Sequence, residues 1–450
     1  MSSDCLIYYY ARKKAKLAKK DYKKAPLSKV HLRVLTAIIL GQFTCGFSLG
    51  ITGGALTNAA KYIQISDMWI GLIGAGGLIG LSSSALIGRL SDKIGRSQLL
   101  MSNMYILAIL SLLHPLTSSL ALTFLIRIGI GLMMAIDYTA GNALLTEWLP
   151  KGEDSKRQSH LLIYWGLGFI ASYLTGTYLE GYGQHTWQII LATGAIPALL
   201  TALFRSFFPL PPSPGWLASK GKIKAANSLI GRILGHKWGI SCHFKRSKKQ
   251  EQVSWTILFS KKYIRSTLVG GSFYACQTFA FFGISIFLPI LLQGMNITNP
   301  KVSGNLYNIS ILIGIFWGIY LFNHLSRRFF LISNFLLSAI LISVLALLPQ
   351  SSSLVKINVF SIFAIVLSSG LVLDYPYPTE LFDTKVQASG VGTCITISRI
   401  SAAAGTFLLP ILTEIGGSNL AMLVFAGVLF AAFIICLFWA PETAPKYQKK

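Results

Sequence analysis

Twelve apolar stretches follow one another along this chain, each about long enough to cross a bilayer as a helix, with mostly short polar turns between them. A hydrocarbon core about 30 Å thick takes about 20 helical residues to span. A backbone with no water to bond must also satisfy its own N–H and C=O groups, which helices do within themselves. The spans are expected at 34–54, 68–88, 98–116, 119–146, 159–179, 187–208, 266–291, 303–323, 329–348, 356–377, 388–412 and 419–439. Composition agrees: 53% of the 450 residues are hydrophobic, only 12% are charged, and the mean hydropathy is +0.59. The expected class is an all-α integral membrane protein.

Lys and Arg fix the orientation, because positive charge near a span resists translocation. With the N-terminus inside, 35 of the 40 basic residues fall on the cytoplasmic side. Lys61, Lys301 and Lys356 fall outside, and Arg127 and Arg399 lie within helices. Both termini are then cytoplasmic, at the inner membrane. The net charge of +25 is a consequence of topology, and no nucleic-acid partner is expected. The opening MSSDCLIYYYARKKAKLAKK has no apolar core or cleavage site of a secretory leader, so the first span is expected to act as its own insertion signal. The six cysteines, Cys5, Cys45, Cys242, Cys276, Cys394 and Cys436, show no disulfide or metal spacing. No cofactor, metal site or nucleotide loop is read in the chain, and no set of catalytic side chains, so an enzyme or a primary pump is not expected.

A basic interval at 209–265, opening with PLPPSP and holding Glu251 as its acid, divides the spans six and six. Within it Trp216, Ile223, Ala226, Ile230 and Ile233 recur near helical spacing among Lys220, Lys222 and Lys224, as in a basic amphipathic helix lying on the inner leaflet. The chain thus reads as a basic arm (1–33), a first half (34–208), the linker (209–265), a second half (266–440) and a tail (441–450). The halves repeat one another. GRLSDKIGR after the second span and NHLSRRFF after the eighth lie 235 residues apart, and Glu147 and Glu380 at the ends of the fourth and tenth spans lie 233 apart. Such near-equal offsets mark a duplicated six-helix unit.

Five motifs in order give the chain a family resemblance. Gly88, Leu90, Ser91, Asp92, Lys93, Gly95 and Arg96 complete the loop pattern G-x-L-[S/A]-D-[R/K]-x-G-R. The fourth span, from Arg127 through Gly131, Asp137 and Tyr138 to Glu147, is similar to an R…G…DYP…E arrangement. PSPGWLASKG, YPYPTELFDTKVQASGVG and APET follow at 212–221, 375–392 and 440–443. From first span to last the chain resembles the sugar-porter-like and metabolite:proton symporter members of the major facilitator superfamily. The resemblance implies twelve helices in two six-helix pseudo-repeats and secondary active transport of a small solute by alternating access, with protons as coupling ion. The seventh span reads CQTFAFFGISIFLPILL in place of the glucose and xylose porters' Q-Q-x-x-G-I-N. The first span has Gly46, Phe47 and Ser48 where proton-coupled sugar porters carry an acid. FFGISIFLP, Phe281 to Pro289, is instead similar to symporters of small organic acids. An organic anion is the expected cargo of a monomeric carrier in lipid. A neutral-sugar porter is the alternative, and a non-transporting solute sensor the alternative of another class.

Charges inside a bilayer cost several kcal/mol and usually face a cavity. Arg399, about 17 Å into its span, is the expected grip on a carboxylate or phosphate of an anionic substrate. Asp137, about 15 Å from the cytoplasmic end, is expected to carry the coupling proton and to face the site. Arg127 cannot pair directly with it, being ten residues away on another face; Arg127, Gln277 and Phe282 complete the expected substrate contacts. Asp374 is expected at the gate, and Pro376 between Tyr375 and Tyr377 as a bending point. Asp92 and Arg96 are expected to form a cytoplasmic gate with Glu147, Glu380 and the helix ends of the other half, intact when the protein is open outward. The second half has Arg327 where Asp92 would align. Gly71, Gly74, Gly76, Gly77 and Gly80 are expected to let the second span approach a neighbour closely.

Overall fold

A computed structural model describes residues 20–444 except 151, 152, 182, 241–254, 296, 298, 349, 375, 384 and 385. Cys5, Cys242, Glu251, Tyr375 and most of the basic arm lie outside the described residues.

Ten described helices are long and apolar enough to cross a membrane. Two details of that count restore the twelve expected. Asp154–Tyr178 is a 25-residue helix, long enough to span, whose apolar residues are interspersed with Gly, Ser, Thr, Tyr and Trp. Gln387–Trp439 is two spans that meet at Gly416 and Gly417, the latter at φ 69°, a conformation glycine adopts without the penalty a side chain would bring. The remaining spans are Lys29–Tyr62, Asp67–Ile94, Arg96–Leu116, Leu120–Trp148, Thr186–Phe207, Ile264–Ile286, Pro300–His324, Arg327–Leu347 and Ser353–Leu373.

The end of the tenth span differs from the sequence reading for a physical reason. The tenth span ends in a 3₁₀ turn at Leu371–Leu373, and Pro376 begins a separate short helix, Pro376–Leu381. Proline has no N–H to give and disfavours helix in the residue before it, so Pro376 is a helix start and not a mid-span bend. In the fourth span, residues Asp137–Gly141 adopt a π-helical turn.

The first span packs on the fifth and the second on the fourth, inside the first half; the eighth packs on the tenth and the seventh on the eleventh, inside the second. Between halves the first span meets the seventh, the second the eleventh and the fifth the eighth. Glycines make several of these approaches possible. A Cβ on Gly53 would overlap the Ile286 carbonyl, one on Gly71 the Phe407 carbonyl, and one on Gly304 the Tyr173 hydroxyl. Gly76, Gly77 and Gly80 serve the first half instead, lying against Arg127, Ile128 and Gly131 of the fourth span. The contacts at Gly53 and Gly304 lie toward the face opposite the chain ends, where Lys301 of the second half also reaches Glu180 of the first at 3.5 Å.

On the face that carries the ends, the linker helix Ile223–Leu234 does not present a free apolar stripe. Ala226 and Ile230 pack with Tyr22, Ala25, Trp238 and Ile240, and Lys20–Asp21 pairs in parallel with Trp238–Gly239. The expected lipid contact is reduced because the chain's own arm covers much of that stripe.

Candidate functional site

Arg399 of the eleventh span is buried between the halves. Its guanidinium lies 5.4 Å from the ring centre of Tyr138 in the fourth span and 5.9 Å from that of Phe282 in the seventh. These are cation–π distances, and they set the charge against aromatic faces from both halves. Trp165 of the fifth span stacks on Phe169 at 5.4 Å and meets Phe281 and Phe282 at 6.0 Å each, which extends the wall across the interface.

The cavity bounded by this wall is lined also by Gln42, Asn142, Gln158, Tyr274 and Asp374, and a second pocket continues from Tyr138, Tyr274 and Arg399 toward Ser84 and Gly392. Among the described residues Gln42 Nε2, Asn142 Oδ1, Trp165 Nε1 and Asp374 Oδ1 are buried and have no hydrogen-bond partner. Buried polar atoms are nearly always paired in proteins, so four orphans lining one cavity describe a site for a polar occupant.

The local fold explains how the fourth span reaches the cavity. Neighbouring helical residues point about 100° apart, so Asp137 and Tyr138 face different surroundings. Tyr138 turns to the cavity, and Asn142 joins it there, donating from Nδ2 to the Tyr138 carbonyl at 3.0 Å across the π turn. Such turns recur at functional sites.

Asp137 faces the interior of the first half, which corrects the expectation that it borders the site. It pairs with Arg205 of the sixth span, both fully buried, at 2.5 Å from Nη2 to Oδ1 and 3.2 Å from Nη1 to Oδ2. Asn103 Nδ2 donates to the same carboxylate. Arg205 also donates to the carbonyls of Leu100 and Ala37 and to Asn103 Oδ1, at 2.9, 3.0 and 3.1 Å. Gly41 makes room for the pair, since a Cβ there would overlap the Asp137 carboxylate.

Two further expected contacts fall elsewhere. Arg127 is buried inside the first half and donates from Nη2 to the Ser48 carbonyl at 2.8 Å, a partner from another span as its position required. Gln277 is buried within the second half, where its Nε2 lies 3.4 Å from the Leu367 carbonyl and against Gly370. Neither is among the cavity-lining residues above. Phe282, Arg399 and Asp374 are, so Asp374, expected at the gate, lines the central cavity. Gln42, Asn142, Gln158, Trp165 and Tyr274 were missed, although amides inside apolar runs were a visible signal.

At the face carrying the ends, Arg96 Nη1 pairs with Glu147 Oε1, and Arg96 Nη2 lies 3.4 Å from Asp92 Oδ1. Trp216 of the linker donates to the Asp92 carbonyl at 2.8 Å. The second half has its own pair, Arg327 Nε to Glu380 Oε2 at 3.6 Å. Each pair stays within one half, so the expected bridging gate is two parallel clasps. The first clasp is also intact while the halves meet at the opposite face. The Glu442 carboxylate accepts from the backbone N–H groups of Arg327 and Arg328, at 3.1 and 3.2 Å, and of Ala444 at 2.8 Å. Burial pushes its carboxyl up, but these three donors outweigh burial and hold it below its usual 4.5.

A sequence profile described as Major Facilitator Superfamily matches residues 38–406. The chain is 29% identical over 419 residues to the inner membrane metabolite transport protein YgcS of Escherichia coli, covering 93% of each. It is 24% identical to the niacin transporter NiaP of Acinetobacter baylyi, covering 94% of this chain and 96% of that one. Among solved structures, a partially occluded inward-open conformation of the xylose transporter XylE from E. coli superposes with a TM-score of 0.78 at 16% identity, covering 94% of this chain and all of that one.

Proposed function

The chain belongs to the Major Facilitator Superfamily, and from that premise we propose that this multi-pass membrane transporter carries a small organic anion together with a proton. The observation that carries the reading is Arg399, a buried cation, lining the same cavity between the halves as Asp374. With Asp374 ionised, the two charges balance. Once Asp374 takes a proton, the guanidinium charge is left for an incoming carboxylate, so anion and proton enter and leave together. Gln42 Nε2 and Trp165 Nε1 supply further donors to the cargo, and Asn142 Oδ1 an acceptor.

The aromatic wall of Trp165, Phe281 and Phe282 belongs to both halves, so a cargo seated on it is enclosed as the halves rock. The lysine- and arginine-rich face that carries the ends lies in the cytoplasm. There the Arg96–Glu147 and Arg327–Glu380 clasps keep the span ends of each half together as it moves.

Coupling therefore moves from Asp137 to Asp374. The three hydrogen bonds Arg205 makes beyond the ion pair itself, to Leu100, Ala37 and Asn103, suit a structural bond inside the first half.

A neutral sugar is the second reading, favoured by Gln42, Asn142 and Gln158 standing beside aromatic rings, a set that can bond hydroxyls and stack on a sugar face. Thermal-shift titration of the purified protein separates the two. Small carboxylates are expected to stabilise the wild type and to lose that effect in Arg399→Ala. Stabilisation by pentoses or hexoses alone would hand the site to sugars.

A further inference from the structure

On the face opposite the chain ends a second cavity of about 170 Å³ lies between the halves, lined by Asn58, Lys61 and Glu180 of the first and by Gln293 and Lys301 of the second. This is many times the roughly 10–15 Å³ that a single water needs, so there is room for a small molecule. Lys61 pairs with Glu180, and Lys301 approaches the other oxygen of that carboxylate at 3.5 Å. Two ammonium groups share one carboxylate, which leaves one positive charge unbalanced. Asn58 is 1% exposed, and neither its Nδ2 nor its Oδ1 has a partner among the described residues. A wholly orphaned amide is costly unless something bonds to it, and here it lines the same cavity as the unbalanced charge.

We propose that this cavity is a second ligand site, distinct from the central one, that takes a small monocarboxylate between Lys301 and Lys61 with the Asn58 amide donating to it. The charge count calls for a monoanion. The amide adds a directed donor, and its carbonyl serves a hydroxyl or amine elsewhere on the ligand. Because Lys301 sits on one half and Lys61, Glu180 and Asn58 on the other, an anion held there ties the halves at this face. It favours the arrangement seen here over one parted at this face, a consequence that rests on the alternating-access reading; the binding itself does not.

The test is acetate binding to the purified protein in detergent, read by saturation-transfer NMR, in an Arg399→Ala background that removes the central cation. Binding is expected to persist in Arg399→Ala, to weaken about tenfold or more when Lys301→Ala or Asn58→Leu is added, and to survive Lys301→Arg. Since Lys301 is a surface side chain, its variants test the site even where Asn58→Leu misfolds. Loss of all acetate binding in Arg399→Ala alone would overturn the proposal while leaving the central anion site standing. Binding unchanged by Lys301→Ala, or inorganic phosphate displacing acetate at equal concentration, would overturn it as well. Uptake by wild-type liposomes, measured separately, reports whether the transport reading fails.

Discussion

At the scale of single residues, the Asp137–Arg205 pair decides how the fourth span is used. A buried ion pair gains little over well-packed apolar residues, but breaking one strands a charge in a dry interior. Arg205→Leu is therefore expected to cost about 3–5 kcal/mol, and Asp137→Leu with Arg205→Leu together much less. Thermal unfolding of the single and double variants checks this; a double-variant loss equal to the sum of the two single losses would mean that the pair is not coupled. Gly41→Ala should mimic the single variants, because its Cβ overlaps the Asp137 carboxylate. The sequence revealed Asp137 and Arg399, since an isolated charge in an apolar run stands out. Arg205 escaped notice because it sits three residues inside the predicted end of its span, where it was counted with the cytoplasmic face. Gln277 was visible but misdirected: a helix pattern gives depth along the span, while rotation about its axis depends on neighbours that only the packed bundle supplies.

At the scale of elements, contacts between spans carry two predictions. Gly53→Ala places a methyl group against the Ile286 carbonyl, so the first and seventh spans can no longer meet. This variant is expected to fold and to bind cargo, yet to lose most uptake. Labelling of a cysteine placed at Thr57 should rise as the face opens; unchanged labelling and uptake would show that the contact is dispensable. The closing APET motif has a clear role, as Glu442 caps the start of the ninth span. Its carboxyl is held below 4.5, so its contribution to stability is present above that pH and is lost as pH falls through the lowered value. Thermal stability of the wild type should drop across that acid range by a component that Glu442→Gln lacks. Identical pH profiles would remove the cap from the account.

At the scale of the whole molecule, the sequence revealed the twelve spans and the six-plus-six repeat. The bilayer imposes a length and a polarity that hydropathy reads directly. The repeat was visible at its charged turns, and the structure shows how the altered copy is rearranged. Arg327 aligns with Asp92 but plays the part of Arg96, pairing with Glu380 as Arg96 pairs with Glu147. The cavity was only half legible, because it is assembled from spans far apart in sequence, and Gln42, Asn142 and Trp165 carry no motif that names them. The central claim is that Arg399 binds an organic anion and Asp374 the proton that travels with it. Liposomes kept acidic outside and neutral inside test it with a radiolabelled carboxylate that stabilises the purified protein. The wild type is expected to accumulate it above equilibrium, Arg399→Ala not to accumulate it, and Asp374→Asn to equilibrate it without accumulation. Accumulation by Asp374→Asn at the wild-type level would contradict the central claim.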